Sequence, residues 1–255
     1  MRIRLLANMA MLGAFVLLLA DRETGNAVHE CVGVVFFLAF ALHTVCNRHW
    51  YTTLIRGRWS RGRVLRLCVT FLLLLALAGT LVSGALISQT VFAFAGFKSD
   101  FVIRTYHLGL AHYFLLFAGI HLGLYWPRLK AELGISVSGG KRRLRTFGPC
   151  LAAYGVYALY SRDFVYALLM QSAYTAWLDG DGIFLLLFDY AAVFWLFVLV
   201  GRGLDRLIRP ASQQPALAGT ERCVSPSATS PNGPAARQFL FPNFCLQTGK
   251  KEFRS

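Results

Sequence analysis

The chain has 255 residues, 56% of them hydrophobic and 15% charged, with a mean hydropathy of +0.52. An average soluble domain carries about 25% charge, and here the apolar residues fall in blocks near the roughly 20 residues that cross a bilayer. An ordinary soluble domain is excluded, and so is a barrel, because no alternating strand pattern appears and an open sheet cannot sit in lipid. The net charge of +14 comes from arginine-rich loops, which makes it a topology signal rather than a nucleic-acid surface.

The first apolar block, about residues 5–20, follows Arg2 and Arg4. Cleavage after Ala20 would place Leu18 where a signal peptidase wants a small residue, so the block is expected to be a span rather than a leader. "DRETGNA" at 21–27 is a polar turn. A second span is expected over about 28–46, followed by a basic loop with Arg48, Arg56, Arg58, Arg61, Arg63 and Arg66. A third is expected over 67–87 and a fourth over 105–126, stopped by Pro127. Arg128, Lys130, Lys141, Arg142, Arg143 and Arg145 fill the next loop.

Residues 147–160 form a shorter apolar run, expected as a fifth span. "SRDFVYALLMQSAYTAWLDGDG" is expected as a surface helix ending in an acidic turn, and 183–200 is the sixth span, with Arg202, Arg206 and Arg209 behind it. With the N-terminus inside, both basic clusters fall on the cytoplasmic side. The outer side keeps only Arg22, Lys98, Arg104 and Arg162, beside Asp21, Glu23, Asp100, Asp163, Asp179 and Asp181. The expectation is an all-α integral membrane protein of about six spans, with both termini cytoplasmic. The Pro-, Ser-, Ala- and Gly-rich segment 210–255 is expected to be a disordered tail.

Two segments carry the chemistry. "HECVGVVFFLAFALH" runs from His29 to His43, and "HLGLAHYFLLFAGIH" from His107 to His121, so each has a histidine at both ends. A separation of 14 residues is about 21 Å of helical rise and about 40° short of four turns. Both histidines of a pair therefore leave one face, near opposite membrane surfaces. The second and fourth spans run in the same direction, so His29 and His107 share the outer end, and His43 and His121 the inner. Facing helices would then offer two stacked bis-histidine sites, which suit two haems b.

Four residues beyond each outer histidine stand the small residues Gly33 and Ala111, and Gly119 and Gly123 flank His121. They would give a macrocycle room, or serve plain helix packing. Zinc, which prefers four close ligands, suits isolated pairs poorly. Polar groups in hydrocarbon are costly and usually functional. His49 and His112 break the pattern, and interfacial or packing roles are expected for them.

Other residues leave alternatives open. Glu30 either hydrogen-bonds or accepts a proton at the outer site, or is a helix-start acid favoured by the dipole. Lys98 and Arg104 are the nearest outer cations to haem propionates; Asn47, Arg48 and Arg128 are the inner ones. Asp189, inside the last span, either pairs with an arginine such as Arg162, handles protons, or makes a structural hydrogen bond. Trp50, Trp59, Trp126, Trp177 and Trp195 read as interface anchors. Cys31, Cys46, Cys68 and Cys150 read as apolar filler, since no C-x-x-C or C-x-x-C-H is present.

In combined order, "D-x-x-T-G-x-x-x-H-E-x-x-G", "N-R-H-W", "S-G-A-L-I-S", "H-L-G-L-Y-W", "Y-G-V-Y-A-L-Y-S-R-D" and "L-L-F-D-Y-A-A-V-F-W-L-F-V-L-V-G" resemble the flavinylation-associated cytochrome family over roughly residues 5–205. The resemblance implies a membrane b-type di-haem cytochrome, either a free-standing electron carrier or a subunit of a membrane oxidoreductase. It would be placed in a bacterial-type inner membrane and serve an extracytoplasmic flavin-carrying partner. Members often have extra histidines where this chain has Leu108 and Tyr125, a departure that leaves the proposed ligands intact.

The expected organisation is a cytochrome domain over 1–209, with a haem core at about 5–126 and further spans at 147–160 and 183–200, then the tail 210–255. The expected site is His29, His43, His107 and His121 as iron ligands, with Gly33, Ala111 and Arg104 around the haems. No nucleotide fingerprint stands in the chain. Quinone, a membrane-pool candidate partner, has no signature to find. The competing reading is a histidine-lined transporter or metal-handling membrane protein, which needs polar residues between the histidines; those stretches are almost wholly apolar.

Overall fold

The computed structural model describes residues 2–48, 59–97, 100–132, 141–174 and 182–208. They fold as an all-α bundle: α1 (Arg2–Leu18), α2 (Asp21–Thr24), α3 (Asn26–Cys46), α4 (Arg61–Ile87), α5 (Phe101–Leu124), α6 (Trp126–Glu132), α7 (Lys141–Ser161), α8 (Phe164–Leu168) and α9 (Ile183–Ile208), with a short 3-10 turn at Ala93–Ala95. Four of these, α3, α4, α5 and α9, are long and apolar enough to cross a membrane. The protein is an integral membrane protein by that measure. The expected first and fifth spans are helices too, but α1 has an apolar stretch only from Leu6 to Leu18, and α7 opens on the basic run Lys141–Arg145.

Several expected boundaries move for local reasons. Helix α4 starts at Arg61, six residues before the expected 67, because the Ser60 hydroxyl caps it by accepting from Arg63 N at 3.3 Å. Asp100 caps α5 in the same way through Val102 N. Pro127 does not simply end α5. The chain turns at Tyr125, and Pro127 lies in the first turn of α6, where its missing N–H costs nothing. The expected surface helix after Ser161 contracts to α8, bounded by Asp163 (φ 49°) and Met170 (φ 56°), both in the left-handed region. His49, Trp50, Arg56, Arg58, Lys98, Trp177, Asp179, Asp181, Arg209 and the tail 210–255 lie outside the described residues.

Packing follows chain order at first. Helix α3 lies on α1, α4 on α5, and α7 on α9; the long-range contact is α5 on α9. That last interface is close because Gly119, Gly123 and Gly201 leave no side chain in it. A Cβ on Gly123 would overlap Val198 O, and one on Gly201 would overlap Ile120 O. One buried cluster joins Leu115, Ala158, Phe164, Leu186, Tyr190 and Val193; a second joins Ala14, Phe36 and Leu77. Cys31, Cys68 and Cys150 are free thiols on the outside of the bundle, and the free thiol of Cys46 is half-buried.

Candidate functional site

Helices α3 and α5 present their histidines at matching depths. The rings of His29 and His107 stand 6.2 Å apart, centroid to centroid, inclined at 75°. At the other end His43 lies within electrostatic reach of His121. The two helices are therefore parallel, and same-end histidines share a level.

Each level is framed by the neighbouring helices. At the outer level, His107 Nδ1 faces the Thr80 carbonyl at 3.0 Å and the Ser83 hydroxyl at 3.2 Å, both on α4. Gly84 lies against the same ring; a Cβ there would come within 3.0 Å of His107 Cε1. His29 Nδ1 is buried with no hydrogen-bond partner among the described residues. At the inner level, His121 Nδ1 is 3.2 Å from the Thr70 hydroxyl of α4, and His43 Nδ1 is 2.7 Å from Asn8 Oδ1 of α1. Anchoring one ring nitrogen fixes tautomer and tilt and leaves the other nitrogen to face a ligand, the usual preparation of a metal-binding imidazole. For His107 and His121 no hydrogen bond to the second nitrogen, Nε2, occurs among the described residues.

Between the levels lies an apolar layer. Phe36 of α3 and Phe114 of α5 meet at 5.7 Å and 88°, and Phe15 of α1 touches both, at 6.5 Å and 5.5 Å. Leu77 of α4 completes it. A seven-residue rhythm runs through four helices: 29, 36, 43 on α3; 107, 114, 121 on α5; 70, 77, 84 on α4; 8, 15 on α1. Seven residues are about 20° short of two turns, so each series stays on one face.

The remaining predicted residues are placed as follows. Arg104 is close enough to act electrostatically on His107. At Gly33 a Cβ would meet only the end of the Leu18 side chain of α1, at 4.0 Å, so the position is open rather than crowded. Ala111 is half-buried on α5. Gly119 and Gly123 do not clear His121, since both are used up against Phe197 and Val198 of α9. His112, outside the rhythm, is buried: its Nδ1 is 2.8 Å from the Leu108 carbonyl and its Nε2 3.5 Å from the Tyr190 hydroxyl, which makes it a packing residue.

Sequence reasoning did not single out Asn8, Thr70, Thr80, Ser83 or Gly84 as histidine neighbours. Ser83 and Gly84 open the "S-G-A-L-I-S" run, whose polar pair inside an apolar helix was the available signal. Glu30 realises the hydrogen-bonding alternative, toward the end of α4 and toward Asn26. Its carboxylate accepts from Ser88 Oγ (2.6 Å), Gln89 N (2.7 Å), Thr90 N (3.0 Å), Val91 N (2.8 Å), Thr90 Oγ1 and Asn26 Nδ2 (2.7 Å).

Asp189 and Arg162 form a buried ion pair at 2.6 Å, with Tyr154 donating to the second carboxylate oxygen at 2.6 Å. That realises one of the alternatives open for Asp189. At the inner end Arg66 pairs with Asp205 at 3.0 Å, and Arg202 lies over the Trp126 ring at 5.4 Å.

No group of three or more His, Cys, Asp or Glu side chains able to hold a metal occurs among the described residues. What the arrangement offers is paired imidazoles. Bonds of about 2 Å to one central ion, plus the ring radii, put two trans imidazole centroids about 6 Å apart, which matches the outer pair. The outer pair thus fits bis-imidazole ligation. No family model, no curated protein and no solved structure matches the chain.

Proposed function

We propose that the chain is a transmembrane b-type cytochrome. It carries two haems b, the outer held by His29 and His107 and the inner by His43 and His121, and moves electrons across a bacterial-type inner membrane. The donor is cytoplasmic or a membrane-pool quinone, and the acceptor an extracytoplasmic flavin-carrying partner, as the family resemblance implies. The six-helix topology with both termini inside, α1 and α7 included as spans, belongs to the same proposal and rests on the arginine asymmetry.

The carrying observation is the pair of histidine levels on parallel helices, each braced from a neighbouring helix. Bound haem supplies one-electron chemistry at its iron. The chain's own residues orient the imidazoles of His43, His107 and His121 through Asn8, Thr70, Thr80 and Ser83, and Arg104 supplies positive charge at the outer level. Phe15, Phe36, Phe114 and Leu77 keep water out of the space between. That apolar layer weighs against the histidine-lined transporter, because a permeating ion would have to shed its hydration shell against phenyl rings with no polar group to replace it.

The test is the visible spectrum of protein purified after expression with ample haem. A reduced-minus-oxidised b-type signal at two haems per chain is expected. A chain that folds, inserts and carries no haem overturns the proposal.

A further inference from the structure

The outer histidine level has a brace that the inner one lacks. Glu30 follows His29 directly, at the start of α3, where Gly25 (φ 82°) breaks the chain between α2 and α3. Its carboxylate takes the successive backbone N–H groups of Gln89, Thr90 and Val91 and the hydroxyls of Ser88 and Thr90, all in the turn leaving α4. Successive N–H groups converging on one point make an anion nest, and hydrogen bonds to an ionised acceptor are about twice as strong as neutral ones. Here the nest is filled from another helix of the same chain. Ser88 Oγ also accepts from Phe92 N at 2.9 Å, so the turn itself is closed around the contact.

The same end of α4 orients the other outer histidine. Ser83 and Gly84 touch the His107 ring, and Ser88, four residues beyond Gly84, holds Glu30. One continuous path therefore runs from His29 through Glu30 and Ser88, down little more than a turn of helix, to Ser83 and His107. We infer that Glu30 is a positioning residue of the outer site: by locking the start of α3 to the end of α4 it sets the height and tilt of His29 against His107. The inference rests on the haem reading proposed above. The inner level lies about 21 Å away and has its own braces in Asn8 and Thr70.

The experiment uses the full chain with haem bound, and compares Glu30→Gln, Glu30→Asp and Ser88→Ala with the parent. Each haem is first assigned through His29→Ala and His43→Ala. The readouts are haem-to-protein ratio, redox titration of both haems, and the low-spin ferric EPR signals, which report the mutual orientation of the two axial rings. Glu30→Gln keeps the size, removes the charge and turns one of the two acceptor oxygens into an NH2 donor; Ser88→Ala keeps the charge and removes one donor. Both are expected to move the outer EPR signal and leave the inner one in place, with Glu30→Asp intermediate. An outer signal unchanged in Glu30→Gln and Ser88→Ala, or an equal change at both levels, overturns the inference while leaving the cytochrome reading intact. A shift in outer potential without any change in EPR signal also overturns it, because charge alone would then account for the effect. A parent protein without haem overturns both.

Discussion

Phe36 and Phe114 meet edge to face at 5.7 Å, and each stands seven residues from both histidines of its own helix. The contact is the midpoint of the α3–α5 frame. Phe36 is only 4% exposed, and with Phe15 and Leu77 it keeps the two helices apart at a fixed distance between the histidine levels. Removing either ring leaves a cavity that α3 can fill only by shifting.

Phe36→Ala is therefore expected to destabilise the detergent-solubilised protein by about 3–5 kcal/mol, the range for emptying a buried phenylalanine site. Phe36→Leu should cost much less. Thermal unfolding of the two variants against the parent checks the order. Equal stability of the alanine variant and the parent would show that the layer bears no structural weight.

The histidine levels make a pairing prediction. His29→Ala and His107→Ala should abolish the same haem signal, and His43→Ala and His121→Ala the other. Redox titration of the four single variants decides it. Loss of different signals from His29→Ala and His107→Ala removes the paired-level arrangement even with haem present.

Arg162 and Asp189 are both almost fully buried. Removing one partner of such a pair leaves the other charge stranded, at about 3–5 kcal/mol. Arg162→Ala should therefore be severely destabilised, while the double variant Arg162→Met with Asp189→Leu should recover much of the loss. Midpoints of thermal unfolding for the singles and the double give the coupling. Additive effects would mean that the pair does not act as a unit.

The glycines divide into two kinds. Gly123→Ala and Gly201→Ala place a methyl group into backbone across the α5–α9 contact and should destabilise strongly, since backbone cannot step aside as a side chain can. Gly203 lies on the same helix as Gly201 but has nothing near its Cβ position. Gly203→Ala should gain about 0.5–1 kcal/mol from helix propensity. Expression yield and unfolding temperature of the three variants provide the check.

The long apolar helices and the matching histidine positions on α3 and α5 were legible from sequence because hydropathy and the 14-residue interval depend only on one helix at a time. So was the shared direction of α3 and α5, which follows from the alternation of basic loops. What did not show was which face meets which neighbour. Gly119 and Gly123 sit beside His121 in sequence and stand against α9 in space. Thr70, Ser83 and Asn8 are ordinary polar residues until α4 and α1 lie down beside the histidines. The pairing of Asp189 with Arg162 was one option among several, because an ion pair 27 residues apart leaves no local pattern. The Glu30 contact spans about 60 residues for the same reason.

The order of helix contacts has a consequence for how the molecule comes together. Helices α1 and α3 are a sequence-neighbour hairpin, and α4 and α5 are another. The first brings Asn8, His29 and His43; the second brings Thr70, Ser83, His107 and His121. Neither hairpin owns a complete level. Each hairpin carries one imidazole of each level, so both levels are complete only where the two hairpins meet. Both levels are thus shared across the seam between the hairpins, and a ligand held by either histidine pair would bridge that seam.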